Sequence, residues 1–402
     1  MESNYSSKNL FIYSLIFYLL LIFTNQYPSL ETSIHMGFHD QLMYLKLFNV
    51  APYFPSEGIR PHQAARFFSP YLIGTICEFI QIKNHIYPVL ISINIFINLL
   101  IIQLFIKITS HFNVARNINL ILISALIFNA YNFRVSLYAP LMLNDILFTY
   151  GLLLIVFFFI KKKVSYFYIG LILCCLTRQT SLILNLLFFI IIFHKIFFKT
   201  NTKIGKFING IIINFSIFFI LRNISLNFST DDISFLVSHI SAIFTFDYRF
   251  IDLLNIFSRL LIANIFIFML SALFIVKFNF YKKMINFELI KIFFLASFIW
   301  IQPILGSPIV GTNISRLTII SMPIFLVLFS IIFKDLKIKF LHSIIIIILI
   351  FLSSLHHHYT YIFNLFFKFN NYQFGIITLL LHTIIFILFL KNYSKEFNKK
   401  VE

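Results

Sequence analysis

Acidic side chains are scarce in this chain, 14 against 32 Lys and Arg in 402 residues, and charged residues of both signs make up only 11%. A soluble domain carries about a quarter, so a water-soluble globular fold is excluded. Cysteine is nearly absent as well. Cys77, Cys174 and Cys175 show neither zinc-ligand spacing nor a disulfide framework and read as buried thiols. The ten glycines form no phosphate loop, no dinucleotide-binding GxGxxG and no nucleophile elbow, and no haem motif is present. Chemistry driven by a bound nucleotide therefore has no visible home.

What fills the chain is apolar: 60% of residues are hydrophobic and 19% aromatic. Runs near or above 15 apolar residues recur along the whole length, separated by short polar breaks, which is the pattern of helices that cross a bilayer. The expected fold is all-α, a polytopic integral membrane protein forming one transmembrane domain over 1-402. Segments near 9-25, 86-106, 118-131, 141-160, 164-177, 179-193, 207-221, 256-276, 289-303, 316-333, 340-355 and 373-390 predict about 12 transmembrane helices. Asn9 to Phe23 leads into Asn25-Gln26-Tyr27-Pro28 instead of a small-residue cleavage site, and reads as a signal anchor. Tyr71 to Ile82 is too short to cross, contains Glu78, and predicts an amphipathic helix at the interface. Both 164-177 and 179-193 are short, about 21 Å each at 1.5 Å per residue against a core of ~30 Å. The turn Thr177-Arg178-Gln179 is accordingly expected below the outer surface, inside a protein cavity.

The net charge of +18 is a topology signal, and nucleic acid is not an expected partner. Lysine clusters at Lys161-Lys163, Lys195-Lys206, Lys277-Lys283, Lys334-Lys339 and Lys391-Lys400 follow alternate apolar segments, as cytoplasmic loops require. Both termini are then cytoplasmic, and the long outer loops are 26-85 and 222-255. Arginine is sorted the other way: of nine, only Arg116 falls inside, while Arg60, Arg66, Arg134, Arg178, Arg222, Arg249, Arg259 and Arg316 fall outside. Placing a planar, bidentate fork against the positive-inside gradient points to an outward-facing site for phosphate.

Within the first outer loop stand Asp40, flanked by His39 and Gln41, and then Arg60, His62 and Arg66. A carboxylate near arginines suits a general base for a sugar hydroxyl; Glu31 and Glu57 are the substitutes if Asp40 is not that base. Asp145, in YAPLMLND, opens a predicted helix and is expected to pair with Arg134 or Arg178. Arg178, with Gln179 beside it, is held by short helices at membrane depth, and Arg316 begins a helix after the glycine-containing GSPIVGTNIS, which suits an anion. The tract His356-His357-His358 is not expected to hold metal, because consecutive side chains diverge.

Taken in order, HDQLMY (Asp40, Tyr44), RPHQAARFFSPYLIG, YAPLMLND, the KKK run, LTRQTSLIL and SRLTIISMPIF resemble the polytopic C-type glycosyltransferases (GT-C), particularly bacterial membrane proteins of cell-surface polysaccharide assembly. The resemblance covers roughly residues 1-195 and 304-333. It implies a site on the outer face of the inner (plasma) membrane, a polyprenyl-phosphate sugar donor, a glycan or lipid acceptor, and inverting transfer. Carried over, Asp40 would be the base, with Arg66, Arg178 and Arg316 on the lipid phosphate. Many members have a second acid near the first, often associated with metal; His39 and Gln41 stand here instead, which leaves a divalent metal requirement open. Two other readings are a polysaccharide polymerase or ligase, and a transporter or flippase of lipid-linked glycan. The latter predicts charges through the midplane and two related halves, neither of which the sequence displays.

Overall fold

Long apolar runs with few glycines or prolines leave the backbone one economical way to satisfy its polar groups away from water, and the chain is helical accordingly. The computed structural model describes residues 7–29, 32, 40–55, 58–59, 61–129, 131–198, 204–229, 260–261, 263–273, 287–305, 314–334, 336–355, 360 and 371–401. The helices used below are α1 (Ser7–Thr24), α2 (Asp40–Val50), α3 (Phe68–Phe79), α4 (Ile86–His111), α5 (Arg116–Phe128), α6 (Phe133–Tyr138), α7 (Leu143–Lys161), α8 (Val164–Thr177), α9 (Ile183–Phe198), α10 (Gly205–Leu226), α11 (Ala263–Leu273), α12 (Phe287–Leu305), α13 (Ile314–Ile319), α14 (Met322–Ile332), α15 (Phe340–Leu355) and α16 (Asn371–Val401). Among the described residues there is no strand, only the isolated bridges Asn25 to Thr360 and Ile59 to Ser229.

The inner helices are α4, α5, α7 and α14, which pack on one another. All of α14 is buried, as are most of α5 and α7, and their apolar residues run all the way round instead of along one stripe, as buried helices require. Outer helices show an exposed apolar side: Ile12, Ile16 and Phe23 on α1, and Ile208, Ile212 and Phe219 on α10. Helices α7 and α8 approach closely because glycines face each other. A Cβ built on Gly170 would lie 2.6 Å from the Gly151 carbonyl, and one on Gly151 would lie 2.8 Å from the Gly170 carbonyl. Small residues opposed in this way let backbones touch in a helical membrane bundle.

Among the described residues seven helices are long and apolar enough to cross a membrane: Ser7–Thr24, Lys83–His111, Arg116–Tyr138, Pro140–Lys161, Gln179–Phe197, Gly205–Leu226 and Gly375–Asn392. The expected count of 12 is thus met only in part. Segments 164-177, 256-276, 316-333 and 340-355 are represented among the described residues by apolar helices of 10–17 residues, short of a ~30 Å core at 1.5 Å per residue, whereas 289-303 lies within the 19-residue α12. One expectation is corrected in the other direction. The segment 179-193 is not short, because the 3-10 turn Gln179–Leu182 runs straight into α9 and yields a 19-residue span. The stretch expected as an amphipathic helix from Tyr71 to Ile82 is α3, shifted by about one turn toward the N-terminus.

Charge is divided between the two ends of the bundle. Asp145 lies in the first turn of α7 and Lys161 in its last, a separation of roughly 24 Å along the axis. At the lysine end Lys161 Nζ meets His111 Nδ1 at the end of α4, 2.9 Å away. The loop bearing α2 and α3 covers the other end, where Tyr44, Leu47, Phe67, Tyr138, Leu141 and Phe228 form a second, smaller apolar cluster.

Candidate charged site at one end of the bundle

Four segments deliver the charged residues. Asp40 is the first residue of α2, where a carboxylate favours the helix N-terminus. Arg66 stands two residues ahead of α3. Pro140 starts a 3-10 turn, as proline does well at a helix start, and this turn leads into α7 with Asp145 in its first turn. Arg178 is extended (φ −147°, ψ 135°), breaking α8 from the 3-10 turn that follows. Arg316 comes from α13.

These residues meet. Asp145 Oδ1 accepts from Arg178 Nε at 3.0 Å and also pairs with Arg178 Nη2. Asp145 Oδ2 lies 3.1 Å from Arg316 Nε, off the hydrogen-bond line, so this oxygen has an ion pair but no hydrogen bond. Arg316 Nη2 reaches on to Asp40 Oδ2 at 3.6 Å, and Asp40 Oδ1 accepts from Gln63 Nε2 at 2.7 Å. Arg66 lies near enough to Tyr44, Asp40 and Asp145 to feel their charges. Burial pushes the Tyr44 phenol above its ordinary value, even beside the Arg66 guanidinium. Burial also opposes the charge on Arg66, but Tyr44 and Asp40 more than offset it and raise its pKa. Among the described residues three guanidinium groups therefore face two carboxylates, in a site where Arg178 is 3% and Arg316 6% exposed.

Neutral side chains hold the parts in register. Gln41 Oε1 accepts from the Leu141 backbone at 3.3 Å, Asn144 Nδ2 donates to the Arg66 carbonyl at 3.1 Å, and Asn94 Nδ2 donates to the Pro140 carbonyl at 2.9 Å. Behind Arg178, Asn214 on α10 donates to the Ser181 carbonyl (2.8 Å) and to Asn185 Oδ1 (3.0 Å), while its own Oδ1 accepts from Ser181 and Cys175. That clamp fixes the turn from which Arg178 projects. Against Asp145 and Arg316 lies a cavity of about 20 Å³, to which Asn132, Ser136 and Thr149 contribute polar groups. It has room for roughly one water molecule.

Of the residues expected to form the site, Asp40, Arg66, Asp145, Arg178 and Arg316 come together. Arg60, with the substitutes Glu31 and Glu57, lies outside the described residues, and so do Asp231, Asp232 and His356 to His358. His62 falls in the short helix Pro61–Ala64 and is described by its backbone alone. Gln179 opens the 3-10 turn, and the structure does not bring it into the charge network. The choice of partner for Asp145 falls on Arg178; Arg134 is fully buried elsewhere, donating to Thr24 and Ser354 hydroxyls and to the Leu21 carbonyl. Gln63 and Asn214 were missed by sequence reasoning. A signal for Asn214 existed, an amide inside the apolar run IIINFSIFF, but its partners are 29 and 33 residues away. Among the described residues no three of His, Cys, Asp and Glu gather as metal ligands. Arg316 stands between the two carboxylates.

Comparison with known protein families, with curated proteins and with solved structures found no match to this chain.

Proposed function

We propose that the chain is a membrane glycosyltransferase that takes a sugar from a polyprenyl-phosphate donor and passes it to a glycan or lipid acceptor. The reading places it in a bacterial inner membrane, crossing about twelve times, with the charged site outward and both termini cytoplasmic. One observation carries it: among the described residues three arginines converge on two carboxylates beside apolar helices. A polyprenyl-phosphate sugar is a phosphodiester with one negative charge. Arginine forks suit its two free oxygens.

The two carboxylates then take different roles. Asp145 is gripped by two guanidinium groups and orients them. Asp40 meets Arg316 at 3.6 Å and Gln63 at 2.7 Å; as the first-loop carboxylate kept ionised beside arginines, it is the base in this reading. It takes the acceptor's proton as that oxygen bonds to the anomeric carbon. The bond from that carbon to the phosphate oxygen breaks, its electron pair leaves with the lipid phosphate, and Arg66, Arg178 and Arg316 stabilise the charge that develops there.

The test is transfer in proteoliposomes supplied with radiolabelled polyprenyl-phosphate sugars and a host lipid extract, for the parent, Asp40→Asn and Arg178→Ala, matched for expression and folding. Transfer by the parent, lost in both variants, supports the assignment. Activity untouched by Asp40→Asn removes the base from Asp40, and label crossing between leaflets without transfer assigns transport instead.

A further inference from the structure

Helix α3 has twelve residues, about 18 Å of axis, too little to cross a bilayer. Its two faces differ sharply. Ser69, Pro70, Gly74 and Cys77 are buried, and α3 packs on α2 so closely that a Cβ on Gly74 would collide with the Phe48 carbonyl. On the opposite face Leu72, Ile76, Phe79 and Ile80 follow one another at spacings of four, three and one, which makes a single helical stripe. They are 43%, 49%, 78% and 56% exposed. Large apolar side chains lined up in this way do not stand in water without a partner.

The position of α3 says what that partner is. Only Ile80, Gln81 and Ile82, with Gln81 in the left-handed region, separate it from the apolar helix Lys83–His111, so the end of α3 is near the level where that span begins. Contacts to α7 and α8 hold it against the bundle flank, and α8 itself turns Ile169 and Ile172 outward. Charge is confined to one end: Glu78 pairs with Lys83 at 3.1 Å, and Lys83 also donates to the Ala51 carbonyl at 2.8 Å. An apolar stripe flanked by charge, at the mouth of a membrane span, is the pattern of a helix lying in the interface plane.

We propose that α3 lies in the plane of the bilayer interface with Leu72, Ile76, Phe79 and Ile80 among phospholipid acyl chains, setting Arg66, two residues ahead of the helix, at the depth of lipid phosphates. The charged site then opens sideways to the leaflet, and a phosphate carried on a lipid reaches it without entering water. This placement stands whether or not the site transfers a sugar.

The chain has one tryptophan, Trp300, so Trp300→Phe clears the background for a depth measurement on the full chain. Phe79→Trp and Leu72→Trp are then made separately in that background and reconstituted in phosphatidylcholine vesicles, with plain or brominated acyl chains. Both positions are expected to lose at least half of their emission to brominated lipid, more with bromines near the headgroup than deep in the chain, and to resist acrylamide. Quenching by acrylamide and not by lipid puts the stripe in water and overturns the proposal. Quenching by neither means that protein, such as a second copy, covers the stripe, which also overturns it. Quenching at Phe79 with none at Leu72 overturns the in-plane orientation. The two positions lie two turns apart, so a fold lost in one variant leaves the other to decide.

Discussion

Replacing Asp145 by asparagine keeps the volume of the side chain and removes its charge. Arg178 and Arg316 would remain, both nearly inaccessible to solvent, with one neutral amide oxygen in place of a carboxylate that meets them at 3.0 and 3.1 Å. Arg316 keeps Asp40, so the cost is chiefly that of leaving the buried Arg178 guanidinium without its carboxylate, about 3–5 kcal/mol. A chain of this length shifts its midpoint by somewhat less than the roughly 2–4 °C per kcal/mol of a smaller domain, so Asp145→Asn is expected to unfold roughly 3–10 °C below the parent. The assay is built into the protein: Cys77, Cys174 and Cys175 are all buried, and a thiol-reactive dye reports their exposure on heating in detergent at one fixed scan rate. Arg178→Met added to Asp145→Asn removes an orphaned cation and fills its space, so the double variant should recover part of the loss. A midpoint within about 1 °C of the parent for Asp145→Asn refutes the buried-network reasoning. A double variant as unstable as the two single effects added together refutes the coupling.

Three further outcomes follow from the packing. Gly170→Ala forces α7 and α8 apart at the Gly151 carbonyl, for about 1–3 kcal/mol, and because those helices carry Asp145 and lead into Arg178, both the unfolding midpoint and sugar transfer should fall together. Asn214→Leu removes the clamp behind Arg178 for roughly 0.6–2 kcal/mol; the fold should persist while KM for the donor rises more than kcat falls, and an unchanged KM would remove Asn214 from positioning. Gln63→Ala takes away the 2.7 Å hydrogen bond to Asp40, an interaction with a charged group of about 1.5–3 kcal/mol, so transfer should fall several-fold and the unfolding midpoint by a few degrees.

Composition and pattern alone determined that this chain is helical and apolar, since 60% hydrophobic residues in recurring runs leave backbone groups no partners but one another. They also show lysine gathered in clusters along the chain while arginine stands singly. The break at Arg178 was legible too, as a polar triplet between two apolar runs. Span lengths were not: whether 179-193 is a short segment or part of a 19-residue helix depends on whether a 3-10 turn joins smoothly to α9, which Asn214 decides from another helix. Nor could the sequence choose between Arg134 and Arg178 for Asp145. Both arginines are compatible with an outer helix end, and only packing sends Arg134 to Thr24 and Ser354 while bringing Arg316, 171 positions along the numbering from Asp145, to the far side of the carboxylate. A pattern of charges records which side of the membrane a residue occupies; which guanidinium meets which carboxylate is settled by the crossing of helices, where contacts between distant parts of the chain compete for the same few ångströms.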